Sequence, residues 1–243
     1  MRVLIVRHGD PNYEIDSLTE KGWKEAELLS DRLSRLDVRA FYVSPLGRAR
    51  DTASLTLKKM EREAVVYDWM REFDAEIYKP GMDTLSNSWD WKPADWTSEE
   101  AYYRRDLWPY TDVMQAGQVK EKYEEVCKGL DKLLADHGYV RENDIYRAEN
   151  PNRDTIVLFC HFGVGCVMLS HLLGISPMVL WHGFSAAPTS VTILNTEERE
   201  KGIAYFRMST YGDTSHLYAG GEKPAFAGRF CEVYNSVDER HES

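Results

Sequence analysis

Three short apolar runs decide what this chain can fold into. Val3 to Val6, Ala40 to Val43 and Thr155 to Cys160 are compact, rich in β-branched and aromatic residues, and carry no alternating polar positions. Strands of that kind are covered on both faces, which is the condition of a parallel strand in an α/β sheet. Each run leads into a helical pattern. Thr19 suits an N-cap, and Trp23, Ala26, Leu29, Leu33 and Leu36 follow at steps of three and four. From about Arg48, Ala49, Ala53, Leu57 and Met60 share one side of a second helix, and Val164, Val167, Met168 and Leu172 lead to Gly174 in another. Val65 to Trp69 reads as a further strand, as do SVTIL and AYFRM later, and Val119, Tyr123, Val126, Leu130 and Leu133 form a helical stripe closed by Gly138. The alternation predicts an α/β fold of three layers, α/β/α, around a largely parallel central sheet.

Between Asp74 and about Gln118 the periodicity is lost. The stretch is aromatic, acidic and proline-containing, and reads as an inserted lid with short helices over roughly 75–118. Its Trp89, Trp91, Trp96 and Trp108 can form a small core of their own or line a cover over a ligand. Arg141 to Asp154 is polar and reads as loop, and the tail after Cys231 as partly disordered. One domain over 1–243 accommodates all of this.

A formal net charge of −10 excludes the broad basic surface that general nucleic-acid or anionic-membrane binding needs. An anionic ligand therefore requires a local cluster of positive groups. The first apolar run is too short for the core of a signal peptide, and no run reaches membrane-span length. Four cysteines (Cys127, Cys160, Cys166, Cys231) without a CxxC pair suit a reducing cytoplasm and give no metal-ligand spacing. The sequence carries no signal for an oligomeric state.

In open α/β sheets the ligand lies beyond the carboxyl ends of the strands. The residues standing there are Arg7-His8-Gly9, Ser44-Pro45-Leu46-Gly47-Arg48, His161-Phe162-Gly163 and Arg71-Glu72. Arg7, Arg48, His8 and His161 would make an anion pocket, with the helix after His161 adding N–H groups. A phosphate site holding two histidines points to covalent catalysis: a neutral His8 attacks phosphorus, His161 and the arginines offset charge on the oxygens, and a carboxylic acid, Glu72 by preference, protonates the leaving group. Gly9 reads as a residue that lets the backbone turn and approach the ligand.

VLIVRHGD, LTEKGWKEA, SPLGRARDTA, WMREF and FCHFGVGCVML, in that order, resemble the histidine phosphatase superfamily, also called phosphoglycerate-mutase-like. The resemblance covers the core of the chain and is weak over the insertion. It implies that His8 accepts phosphate, that Arg7 and Arg48 bind it, that His161 is the second histidine and that Glu72 stands in the proton donor's place. It implies a histidine acid-type phosphatase, a phosphoric monoester hydrolase without metal or organic cofactor, acting on a small phosphorylated substrate. Asp10 replaces the family's usual Glu or Gln. FDAEIYKPG replaces its G-x-W-E-G, which leaves Asp74 and Glu76 as alternative donors. The short segment between His8 and LTEKG favours a phosphatase over a phosphoglycerate-mutase-type transferase; a non-catalytic phosphate-binding module is the third possibility. Asn12 and His216, the latter in GDTSHL, are candidate pocket-edge residues. A cysteine-based phosphatase is excluded, since neither Cys160 nor Cys166 has an arginine six positions on.

Overall fold

The computed structural model describes residues 1–236 and 241. The chain runs through β1 (Arg2–Arg7), β2 (Pro11–Asn12), β3 (Ser17–Leu18), α1 (Glu20–Leu33), β4 (Ala40–Val43), α2 (Gly47–Met60) and β5 (Ala64–Val66). A 3-10 turn at Asp68–Met70 then carries it off the sheet toward Glu72. The aperiodic segment holds β6 (Glu76–Tyr78), β7 (Leu85–Asn87), α3 (Pro93–Trp96), two further 3-10 turns and α4 (Asp112–Ala116). Next come α5 (Val119–Asp136), β8 (Tyr139–Glu142), β9 (Ile145–Ala148), β10 (Thr155–Cys160), α6 (Phe162–Leu173), α7 (Pro177–Gly183), β11 (Val191–Glu200), β12 (Ile203–Asp213) and α8 (Ser215–Ala219). The end of the tail, expected to be disordered, lies partly outside the described residues.

Eight strands form the central sheet in the order β5-β4-β10-β1-β11-β12-β9-β8. The expected parallel pairing holds from β5 through β4 and β10 to β1. β11 then runs antiparallel to β1, and the sheet continues antiparallel to its far edge. The extra strands come partly from Arg141 to Asp154, which contributes to a hairpin rather than a loop. In β9, buried Tyr146 and Ala148 alternate with exposed Ile145 and Arg147. One wet face makes such a strand look polar in sequence.

Within β1 and β10 the side chains alternate between two cores, as a period of two requires. Leu4, Val6, Val157 and Phe159 face Leu29 and Leu33 of α1 and Ala49 and Ala53 of α2. Val3, Ile5, Ile156 and Leu158 face α5, α6 and α7. Each such side chain, fully buried, contributes roughly 1.5–3 kcal/mol. The insertion does not form a core of its own: Trp91, Tyr102, Trp108 and Met114 are buried in the second of these cores. α5 follows its expected stripe and ends before Gly138, whose φ is +90°.

α1 departs from the pattern in one place. Its N-cap is Thr19, whose Oγ1 accepts from Gly22 N at 3.0 Å. Yet Trp23 is 37% exposed, while Glu25 is fully buried. Glu25 is inside because both its oxygens accept backbone N–H groups, from Asp10 at 2.9 Å and Ala225 at 3.1 Å.

The start of α1 lies against the turn that follows β1. A Cβ on Gly9 would stand 2.8 Å from the Gly22 carbonyl oxygen, and one on Gly22 would stand 2.2 Å from that of Asp10. Gly9 is thus required by its approach to α1, with no left-handed turn at that residue. Gly22→Ala should push the turn outward, cost about 1–3 kcal/mol in a denaturant melt, and speed amide exchange at Gly9 and Asp10. An unchanged melt with unchanged exchange would show that the contact yields freely.

Candidate active site

The carboxyl ends of β1, β4 and β10 meet on one edge of the sheet. The backbone around His8 is tied at every step. His8 N donates to Cys160 O at 2.9 Å, and its carbonyl accepts from Thr189 N at 3.1 Å. Gly9 N donates to Thr52 Oγ1 at 2.9 Å, and Asp10 N to Glu25. A chain held this way cannot shift its backbone at His8 without breaking buried hydrogen bonds.

His8 Nδ1 lies 2.7 Å from the Gly9 carbonyl oxygen. A carbonyl only accepts, so the proton sits on Nδ1 and the lone pair on Nε2. Burial, then the Arg7 and Arg48 cations, push the imidazole down to about 3, so the ring is neutral at neutral pH. The His161 ring stands 5.1 Å away, centroid to centroid. Its Nε2 is 2.7 Å from Ser44 Oγ, and it too is held well below the ordinary imidazole range by burial and by His8, Arg48 and Arg7.

Both arginines are gripped on one side only. Arg7 Nη1 donates to the carbonyls of Ala186 at 2.5 Å and Ala227 at 2.9 Å, and its carbon lies 5.8 Å from the Phe162 ring centre. Arg48 Nη1 donates to Asp16 Oδ1 at 2.6 Å, and Asp16 Oδ2 accepts from Gly47 N at 2.6 Å. Among the described residues, Arg7 Nε, Arg48 Nε and His161 Nδ1 are buried nitrogens without a hydrogen-bond partner. A buried donor left unpaired costs about 1–3 kcal/mol. The two guanidinium nitrogens are donors, and His161 Nδ1 is a third when Ser44 Oγ–H donates to Nε2, an arrangement that fits an oxyanion accepting from all of them.

Glu72 is the carboxylate that lies beside this cluster. Its Oε1 accepts from Phe73 N at 2.8 Å and from Val164 N, in the first turn of α6, at 3.0 Å. Burial raises its carboxyl above the usual range, while those donors and Arg7 oppose the rise. Asp74 is exposed and paired with Lys122 at 2.8 Å, and Glu76 is exposed on β6, so neither alternative reaches the cluster. Asn12 sits in β2, with its Oδ1 accepting from Glu14 N at 3.1 Å. His216 is buried behind the site, its Nε2 3.1 Å from Oγ1 of the same Thr189 that binds the His8 carbonyl.

The residues that complete the site escaped sequence reading. Ser44 was legible only as a strand breaker and Asp16 as one acid of a polar loop, while Ala227 carried no signal. Asp16 holds a positive φ of 47°, which its short polar side chain tolerates. Next to Arg7, on the far side of Gly228, opens a cleft of about 550 Å³ walled by Trp91, Trp96, Phe184 and Phe230, with Asp90 at its edge.

The family model "Histidine phosphatase superfamily (branch 1)" matches residues 3–208. The chain belongs to that superfamily. A probable phosphoglycerate mutase from Cronobacter sakazakii is 24% identical over 233 residues, 90% of this chain and 96% of that relative. A 2,3-bisphosphoglycerate-dependent phosphoglycerate mutase from Thermoplasma acidophilum is 31% identical over 72 residues, and the match spans 36% of its length. A phosphoserine phosphatase from Entamoeba histolytica, solved as a mutant in complex with phosphoserine, has the same fold: TM-score 0.55, 18% identity, 89% of this chain and 98% of that one. In this member of the superfamily no described helix is long and apolar enough to cross a membrane.

An anion seated on the cluster would favour the charged imidazoles and raise both pKa values, so binding takes up protons only in the acid range near those values. Titration of the histidine C2–H resonances with and without inorganic phosphate should show the His8 and His161 midpoints moving up by about one unit or more. Midpoints that stay put while phosphate binds would place the anion elsewhere.

Proposed function

We propose that this histidine phosphatase hydrolyses phosphomonoesters through a phosphohistidine on His8, without metal or organic cofactor. The observation that carries the reading is a neutral His8, its lone pair fixed on Nε2, grouped with buried unpartnered nitrogens on Arg7, Arg48 and His161. Nε2 attacks phosphorus as the bond to the leaving oxygen breaks. The two guanidinium groups and the His161 N–H receive the charge on the other phosphate oxygens. Glu72, whose carboxyl burial shifts toward the protonated form, gives its proton to the departing alkoxide. The resulting carboxylate takes a proton from the water that attacks phospho-His8. The P–N bond breaks, phosphate leaves, and His8 and Glu72 return to their starting states.

The remainder of the substrate extends toward the cleft bounded by the insertion, where aromatic walls suit an organic group with an apolar part, and Asp90, Lys92 and Arg229 offer polar contacts. The insertion 75–118 acts there as a cover within one catalytic domain. Three free, buried cysteines, Cys127, Cys160 and Cys166, accord with a cytoplasmic enzyme.

A mutase reading draws on the names of the sequence relatives. The β2–β3 hairpin argues for hydrolysis, because only Tyr13 to Asp16 separate its two strands and little chain is left to hold a second acceptor.

Single-turnover labelling with a small phosphate ester separates the possibilities. Hydrolysis gives a label on His8 that water clears quickly, a mutase gives a lasting label that moves to an added acceptor, and a binding module gives none. His8→Ala should lose the label and turnover while EDTA changes neither. Glu72→Gln should slow turnover of an alkyl phosphate by about 10²–10⁴-fold and p-nitrophenyl phosphate less. It should also remove the fall in rate as pH rises through the Glu72 pKa. Turnover that survives His8→Ala would sink the proposal.

A further inference from the structure

Glu25 is a fully buried carboxylate on α1 that the chemistry above does not use. Its Oε2 accepts from Asp10 N at 2.9 Å, two residues beyond His8. Its Oε1 accepts from Ala225 N at 3.1 Å, with the Lys21 ammonium 3.9 Å away. Two residues past Ala225, the Ala227 carbonyl accepts from Arg7 Nη1 at 2.9 Å. The next residue, Gly228, has a φ of +86°, and a Cβ there would fall 3.1 Å from Arg7 Nη1. The contacts form a closed circuit: the catalytic turn, Glu25, the C-terminal segment, Arg7, and β1 back to His8. The C-terminal part of this circuit lies beyond residue 208, where the family match ends.

The circuit dictates how Arg7 points. Its Nη1 is taken by two backbone carbonyls, of Ala186 and Ala227, while its buried Nε has no partner. A guanidinium held by one terminal nitrogen presents its opposite edge, Nε and Nη2, which is a two-pronged fork for an oxyanion. Arg48 is arranged alike, with Nη1 on Asp16 and Nε unpartnered.

We infer that the segment Ala225–Gly228 is a working part of the phosphate site, and that Glu25 is a positioning residue acting through it to aim Arg7. The inference rests on the reading that phosphate binds at Arg7. Losing one Glu25 acceptor frees Ala225, the Ala227 carbonyl drifts, and Arg7 turns its fork away from the anion.

A double-mutant cycle on binding of inorganic phosphate, measured by calorimetry on the full chain, tests this without requiring turnover. Glu25→Gln and Gly228→Val should each weaken phosphate binding about tenfold, the scale of one charged hydrogen bond. In an Arg7→Ala background the same changes should cost less than about twofold, because their effect runs through Arg7. Equal losses in both backgrounds would assign Glu25 a merely structural role and overturn the inference, as would unchanged affinity in both folded variants. Should Glu25→Gln fail to fold, the Gly228→Val arm decides alone. Failure of the hydrolase reading looks different: phosphate binds and the cycle closes on Arg7, yet His8 takes no label from an ester.

Discussion

Everything at this site depends on holding like charges together with little water to screen them. Two imidazolium rings at 5.1 Å would repel by roughly 3 kcal/mol at an effective dielectric of about 20, and two arginine cations stand by as well. The molecule avoids that cost by keeping both imidazoles neutral. It then needs a frame stiff enough to keep the arginines from swinging away from one another. β1, buried on both faces between β10 and β11, supplies the stiffness, and the hydrogen bonds to Cys160, Thr189, Thr52 and Glu25 carry it past the strand's end. Nucleophilicity follows from the same repulsion, because a histidine that resists protonation keeps its lone pair available.

Much of this was readable from residue order. The three apolar runs are parallel neighbours, and the groups just past them, His8, Arg48 and His161, come together as the carboxyl-end rule requires. Glu72 was readable by position but had rivals in Asp74 and Glu76. It was separated from them only by the 3-10 turn at Asp68–Met70, which returns the chain to the start of α6. What stayed hidden is of one kind. Carbonyls of Ala186 and Ala227 act through backbone atoms, and no side-chain pattern announces them. Glu25 stands four residues before Leu29 on the buried face of α1, where periodicity expects an apolar side chain, and only the two N–H groups it serves explain a carboxylate there. Of the antiparallel half, β11 and β12 were readable as strands, whereas the β8–β9 hairpin was masked by its wet face.

The insertion shows a related lesson about composition. Its tryptophans divide their duties: Trp108 is wholly buried and anchors the segment against α5 and α7 through Tyr123 and Trp181, whereas Trp96 stacks on His182 at the cleft wall. Without the first group the second would have no fixed position from which to shape a ligand.

The bond from Arg7 to Ala227 spans 220 positions of the chain. Closing so long a loop brings no return until the intervening layers have assembled, since its entropic cost must be met before the contact exists. The setting of Arg7 is therefore among the last parts of the molecule to form and the first to register any loosening of the segment that follows α8. Ligand affinity in this enzyme doubles as a gauge of whether the two distant stretches of the polypeptide have met.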